Sequence, residues 1–543
     1  MPIERDRSFN LPTAIPGSES LDGVEAPRRG PVFGSRYGVA TDHPLASLAA
    51  MNILQKGGNA ADATIAVSMV NVVTKPHRTH LGGDCFFLIW KKGTDEVECL
   101  NAGGRAPLKA TIERFKDGIP TTGPLASTVP GLVDAVLELY SSHATMPLGT
   151  LLAPAIELAE HGFPVSMRLS EAMTRVEGFD NVAMREVFLV DGKRAYRPGE
   201  TLRQPDLAAV LKRIVEDERE GFYGGKTAEL IAKGFRDAGG IIDEADFEQN
   251  TAHTPDPLQT TYAGCTIYEQ ALPSQGIILL EALNIAENFP IADWGLGSVD
   301  ANHVLIEATK LAFADSRRYT ADPEVVDVPV DLMLSKDHAR ELAKQIDLKH
   351  ARDYELQLQS TDTTEFVIGD DTYAIAFIQS VFAAWGARFV IPGTGILMNN
   401  RLRGFSLDPS HANSLQPGKR TVHTLNTFLA LKDGGLAVGG GTPGADYQVQ
   451  CNLQTIVGTQ NWGLDLQSAI DMPRWVTINK GEIAIESRFS QSVLQGLTDR
   501  GHTLRVLAPW NATLARSQVF STLPGGGWAV ASDLRGEGLP IAW

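Results

Sequence analysis

Residues Ser360–Ser380 read STDTTEFVIGDDTYAIAFIQS. Six hydroxyl side chains come before Ala374, and the run then turns apolar. Strands are predicted over 363–369 and 373–380, joined by a Gly-Asp-Asp-Thr turn. Thr363 and Thr364 stand at the mouth of the first strand, behind Asp362. A polar turn feeding a strand accounts for this arrangement. A hidden N-terminus accounts for it too. Cutting the bond before Thr363 would free an α-amine that serves as base for the same residue's hydroxyl, so the two groups need no spacing in sequence. A β-branched nucleophile also has a restricted χ1, which aims its hydroxyl. The preceding segment, 349–362, is polar and weakly periodic, and is predicted to be an exposed connector.

The surrounding chain has 543 residues, 43% of them apolar and 21% charged, enough for a large core. A net charge of −17 argues against a nucleic-acid or anionic-membrane partner. Cys85, Cys99, Cys265 and Cys451 form no Cys-x-x-Cys pair and lie in apolar context, so buried free thiols in a reducing compartment are expected. No signal-peptide pattern opens the sequence, and no apolar run approaches about 18 residues. A cytoplasmic enzyme or binding protein is the expectation.

Residues 1–35 are rich in Pro, Gly and charge and read as a loosely held lead-in. A helix is predicted from Leu45, with Leu48, Met51 and Leu54–Gln55 near one face and Gly57-Gly58 as its stop. The next, opened by Asn59 as N-cap, is apolar nearly all round and so belongs in the core. Strands are predicted over 84–92 and 96–102. Residues 130–320 read as mostly helical (148–161, 205–219, 226–239, 276–288, 299–320), with one strand at 265–270. Beyond Thr363, strands dominate at 363–369, 373–380, 387–391, 395–398, 426–432 and 435–440, followed by helices near 446–458 and 465–471. Sheets covered by helices are the implied architecture.

Several motifs fail on inspection. Gly224–Thr227 (GGKT) lacks the first glycine of a phosphate loop and follows a charged helix. The LPSQG run at 272–276 lacks the first glycine of a nucleophile elbow. His77 and His80 with Cys85 have no fourth ligand at a metal-site spacing. The glycines of 439–446 (GGGTPGAD) do not fit a dinucleotide fingerprint, but they signal close backbone approach.

Several blocks in order carry a resemblance. They include GVATDHPLASLAAMNILQKGGNAADATIAVSMVNVV from Gly38, THLGGDCFFLIW, STVPGLVDAVLELY, LLAPAIELAEHGFPVS, PGTGILMNNRLRGFS and LQSAIDMPRW. Together they resemble the γ-glutamyltransferase family of N-terminal nucleophile hydrolases, from about Gly38 to Arg474. The resemblance implies an α/β (α+β) fold, a four-layer αββα sandwich. It implies self-cleavage between Asp362 and Thr363, with 36–362 as the large-subunit region and 363–543 as the small, both in one unit. Thr363 is then the nucleophile and Ser380 a second hydroxyl near its amine. The backbone N–H groups of Gly444 and Ala445 form the oxyanion site. No metal or organic cofactor is called for. The implied partners are a small-molecule amide and the two subunits themselves, with a dimer of these left open.

The departures concern substrate. Where the family clamps an α-carboxylate with arginine, NAGGRAP places Gly103, with Arg105 two residues on. Where it holds an α-amine with an acid, in the segment after Asn400, stands Gly404, flanked by Arg401 and Arg403. An asparagine becomes Phe382, and paired serines become His423-Thr424. Glu365 stands where a histidine is common, and the turn at 369–373 is one residue short. A pocket without an anion for ammonium, but with arginines, suits a carboxylate without an amine. Arg105 is expected as the carboxylate anchor, with Asn400, Arg401, His423, Thr424 and Asp446 also at the substrate. This variant pattern is similar to the oxamate amidohydrolase branch, with acylases nearby. The expected function is a self-cleaving threonine amidohydrolase. The alternatives are a γ-glutamyl or glutaryl acylase with transpeptidase activity, and an uncut, silent homologue that binds a small acid.

Overall fold

The computed structural model describes residues 29–543 apart from 355, 357 and 359–361. Two antiparallel sheets lie face to face. One runs edge to edge as Leu539–Ala542, Gly38–Thr41, Thr364–Gly369, Tyr373–Ser380, Asp84–Lys91 and Val97–Ala102. The other runs Val32–Gly34, Trp528–Ser532, Gln518–Thr522, Gly435–Gly441, Phe428–Lys432, Cys265–Glu269 and Leu258–Tyr262. Each sheet takes strands from both sides of residue 362.

The period of two along each strand builds the layers. Val367, Ala374 and Ala376 point to the facing sheet, where they meet Leu429, Phe520 and Trp528. Phe366, Ile368, Ile375 and Phe377 point the other way, onto the helices Pro44–Gln55 and Ala60–Thr74. On the far side Gly276–Ala286, Val299–Tyr319 and Tyr447–Gln460 cover the seven-stranded sheet. The result is a helix–sheet–sheet–helix stack. Trp528 seats directly on the six-stranded sheet: a Cβ at Gly369 would lie 2.6 Å from its indole.

Helix Ala60–Thr74 is buried along its whole length. Its capping box is complete: the Asp62 N–H donates to Asn59 Oδ1 at 2.9 Å, and the Asn59 N–H to Asp62 Oδ2 at 2.8 Å. The short turn after Gly369 is closed by one side chain. Asp370 Oδ1 accepts the N–H groups of Thr372 and Tyr373, each at 2.7 Å, while Oδ2 accepts that of Ala60 at 2.7 Å. Pairing from Gly369↔Ala374 to Thr364↔Gln379 runs without a bulge, so the shortening is absorbed in the turn.

Some expectations change. Residues 1–28 lie outside the described residues, and Val32–Gly34 is a strand paired with Trp528–Val530 rather than lead-in. The first helix buries Ala46, Ala50, Ile53 and Leu54 and turns Leu48 outward, because it packs along a stripe of alanines. Residues 387–391 and 395–398 are hydrogen-bonded to one another, Ala387 N–H to Met398 O at 2.8 Å and Met398 N–H to Phe389 O at 3.0 Å, but form a bridge at Val390 and Leu397 rather than regular strands. Arg388, at φ 52°, breaks the extended run. The connector is not fully exposed: Leu356 and Leu358 are buried against the helix layer. All four cysteines are buried and free.

Candidate active site

Strand register decides what sits beside Thr363. Thr364 pairs with Gln379, so Thr363 and Ser380 come next to one another, and Ser380 pairs in turn with Asp84 on the following strand. The Thr363 hydroxyl donates to Ser380 Oγ at 3.4 Å. Ser380 Oγ donates to the Asp362 carbonyl at 3.0 Å and accepts the Phe382 N–H at 2.7 Å. One buried hydroxyl therefore both polarises the carbonyl before Thr363 and receives the hydroxyl that would attack it. Thr364 points to the opposite, helix-covered face.

Two arginines grip Asp362. Arg516 Nη2 donates to its Oδ1 at 2.5 Å, and Arg78 Nε lies 3.2 Å from the same oxygen. Arg78 also pairs with Asp42, and Lys75 lies 3.3 Å from both Asp42 and Glu537. Burial would raise the Asp362 carboxyl, but the charges of Arg78 and Arg516 outweigh it and hold the group well below the usual carboxylate range. Sequence reasoning missed this clamp. Arg78 stands in a stretch whose chemical signal is its histidines, and Arg516 is 154 positions from its partner.

Gly441 ends a strand of the facing sheet against Glu365, where a Cβ would lie 3.2 Å from Glu365 Cγ. Burial pushes the Glu365 carboxyl well above the usual range, and its Oε2 accepts the Gln518 N–H at 3.1 Å. Three residues on, Gly444 and Ala445 have φ 136° and 51°. They lead into helix Tyr447–Gln460, and their N–H groups make no hydrogen bond among the described residues. Two such N–H groups at a helix N-terminus suit a developing anion. Gln275 holds the turn from behind, donating to the carbonyls of Ala445 at 2.8 Å and Thr424 at 2.7 Å.

A cavity of about 620 Å³ opens beside this turn, lined by Gln275, Arg317, Phe382, Arg401, Arg403, Thr424 and Asp446, among others. Arg401 is buried, and its guanidinium lies 4.1 Å over the Phe382 ring. Nη1 donates to Thr424 Oγ1 at 3.0 Å, and Nε lies 3.7 Å from Asp84 Oδ2. Nε and Nη2 have no hydrogen-bond partner. Asp446 is the one acidic side chain among the described lining residues, and it acts electrostatically on Arg317.

Arg105, Asn400 and His423 do not line this cavity. Arg105 Nη2 pairs with Glu324 at 2.7 Å, and Nη1 donates to the Gly418 carbonyl at 3.0 Å. Asn400 is scaffolding: its Oδ1 accepts the Ala383 N–H at 3.0 Å and its Nδ2 donates to Thr121 O at 2.8 Å. His423 packs on Phe86 with ring centroids 4.4 Å apart, and its Nε2 lies 3.3 Å from Asp84 Oδ2. Burial and the charge of Arg401 lower its pKa to about 4, so the ring is neutral. His423 packs closely against Gly103, where a Cβ would lie 3.2 Å from His423 Cδ2. Gly404 is closed in the same way by Thr421 Oγ1, 2.7 Å from a Cβ there.

A family profile described as gamma-glutamyltranspeptidase matches residues 46–543. The chain belongs to this family. Gamma-glutamyltranspeptidase relatives of similar length fall into more than one named activity. The "Glutathione hydrolase-like YwrD proenzyme" of Bacillus subtilis is 34% identical, covering 94% of this chain and 99% of its own. The "Oxamate amidohydrolase proenzyme" of Klebsiella pneumoniae is 33% identical, covering 93% and 98%. The solved cephalosporin acylase of Bacillus halodurans superposes with a TM-score of 0.88 at 34% identity, covering 98% of this chain and 99% of that one. The stack of sheets and helices is therefore an N-terminal nucleophile hydrolase fold, and the protein is an amide hydrolase of the gamma-glutamyltranspeptidase family. No helix among the described residues is long and apolar enough to cross a membrane.

Proposed function

We propose that the chain cleaves itself before Thr363 and then hydrolyses amides whose acyl part carries a carboxylate and no ammonium, as oxamate does. In the first stage the Thr363 hydroxyl attacks the Asp362 carbonyl while Ser380 donates to its oxygen. The acyl group passes from nitrogen to oxygen, and water hydrolyses the resulting ester. Chains of 362 residues and the remaining 181 of the 543 result. In the second stage the freed amine takes the hydroxyl proton, the oxygen attacks the substrate amide, and the Gly444 and Ala445 N–H groups bind the oxyanion. The same amine returns the proton to the departing ammonia or amine, and water clears the acyl-enzyme.

The carboxylate reading is carried by one observation: the buried guanidinium of Arg401 lines the cavity, its Nη2 has no hydrogen-bond partner, and its Nε has only Asp84 Oδ2 at 3.7 Å. Leaving such a donor unmet is costly, and a substrate carboxylate reaching Nη2 would meet it. This moves the anchor from Arg105, which is occupied by Glu324, to Arg401 with Arg403 nearby. The cavity volume favours a second reading as well, since about 620 Å³ also admits a longer acyl group such as glutaryl.

A three-substrate panel tests the class. Oxamate and a glutaryl amide are expected to exceed a γ-glutamyl anilide by roughly 10²-fold in kcat/KM, because an ammonium among arginines costs several kcal/mol. A preference for the γ-glutamyl compound would overturn the reading.

The clamp on Asp362 gives a separate expectation for self-cleavage. Arg516→Met is expected to slow appearance of the two fragments about tenfold, roughly 1.4 kcal/mol, with mature turnover unchanged. Because the Asp362 pKa is depressed, the clamp is intact at and above the ordinary carboxylate range and is lost only as pH falls below it. Cleavage timed on gels from pH 5 to 8 should show no loss from Asp362 protonation. A rate for Arg516→Met equal to wild type would remove the clamp from the mechanism.

A further inference from the structure

Helices Gly276–Ala286, Val299–Tyr319 and Lys336–Ala343 meet on the outer side of the seven-stranded sheet, away from Thr363. Each brings one ligand-type side chain to the same point: Glu281, Asp315 and His338. One ligand atom from each lies within 4.8 Å of the other two. His338 Nε2 is 2.6 Å from Asp315 Oδ2 and 3.7 Å from Glu281 Oε1.

Glu281 is the group in need of explanation. It is fully buried, yet neither carboxylate oxygen meets an N–H or hydroxyl donor, and the carboxylate of Asp315 stands close beside it. A buried carboxylate without donors must take up a proton or a cation. His338 does not answer it, because its Nε2 is already engaged by Asp315. Among the described residues, no lysine or arginine forms an ion pair with Glu281 or Asp315.

A second grouping, His303, Glu307 and His502, shows the contrast. There Lys310 Nζ donates to Glu307 Oε1 at 2.8 Å and the Arg352 N–H to Oε2 at 3.2 Å. His303 Nδ1 lies 2.8 Å from His502 Nε2, and its Nε2 lies 2.8 Å from the Asp347 carbonyl. That carboxylate is already neutralised and hydrogen-bonded, so it calls for no ion.

We propose that Glu281, Asp315 and His338 form a binding site for a divalent transition-metal ion of the zinc or manganese class. Two carboxylates balance a double positive charge, and an imidazole nitrogen supplies a third ligand. One nitrogen with two oxygens is a borderline donor set, which suits these ions better than calcium or copper(I). Glu281 forms the floor, while Asp315 and His338 are partly exposed, so the ion enters from solvent and keeps water on that side. Two of these helices, Gly276–Ala286 and Val299–Tyr319, reach the active-site cavity through Ile278, Phe313 and Arg317, so the ion would brace one wall of it.

The test uses full-length protein stripped with EDTA and titrated with zinc chloride by calorimetry, and with manganese chloride by electron paramagnetic resonance. One ion per chain is expected, with a rise in Tm on zinc addition. Glu281→Gln keeps shape while removing the unpartnered charge, and His338→Ala alters a partly exposed site, so both should fold. Each is expected to weaken binding at least tenfold and to abolish the Tm rise. Absence of saturable one-per-chain binding, or equal binding by wild type and both variants, would overturn the site.

Discussion

Thr363→Ala is expected to run as a single chain of 58.6 kDa on a denaturing gel and to show no measurable amidase activity. The two losses have one cause. The hydroxyl that donates to Ser380 is the attacking group in both stages, and the α-amine that serves as base is exposed only if the first stage succeeds. Removing a nucleophile of this kind costs about 10⁴- to 10⁶-fold in kcat. Thr363→Ser should still cleave, more slowly, because the hydroxyl remains while the methyl that restricts χ1 is gone. Wild type should give two fragments, with Thr363 as the N-terminus of the smaller by Edman sequencing. Retained turnover in Thr363→Ala would refute the assignment, and a wild type that stays whole while active would refute the hidden N-terminus.

The strands around Thr363 were legible because their signals are local. Alternating faces and a turn at 370–373 specify Thr364–Gly369 and Tyr373–Ser380, and that register brings Ser380 beside Thr363. The all-apolar helix after Asn59 was legible for the same reason. Arg388 shows where local reading fails: a run of strand-forming residues is broken by a positive φ that its composition does not announce. The pocket was legible only in part. Sequence comparison pointed to arginines replacing an acid, and Arg401 does line the cavity. Arg105 and His423 could not be placed the same way. Which arginine faces a cavity depends on who already pairs with it, and Glu324 is 219 positions from Arg105. The clamp of Arg78 and Arg516 is tertiary in the same sense.

Arg401→Met is expected to separate substrate binding from self-cleavage. The guanidinium stacks on Phe382 and is oriented by Thr424 and Asp84, so Nη2, which has no hydrogen-bond partner, is fixed in the cavity wall. Burial lowers its pKa to about 10, which still leaves it cationic at pH 7. Losing a charge-assisted pair to a substrate carboxylate costs about 2–3 kcal/mol, or roughly 30- to 150-fold in kcat/KM for oxamate, seen chiefly in KM. Cleavage into two fragments should be unaffected, since Thr363, Ser380 and Asp362 make no contact with Arg401 among the described hydrogen bonds. Stability should fall only modestly, because methionine fills the space over Phe382 and removes the unmet Nη2, while Asp84 keeps the Gly104 N–H at 3.0 Å and His423 Nε2 at 3.3 Å. Arg401→Lys should recover only part of the loss, since an ammonium offers a point charge where a fork is needed. An oxamate kcat/KM within about threefold of wild type in Arg401→Met would place the carboxylate on Arg403 or Arg317 instead. It would leave Nη2 of Arg401 in need of another ligand.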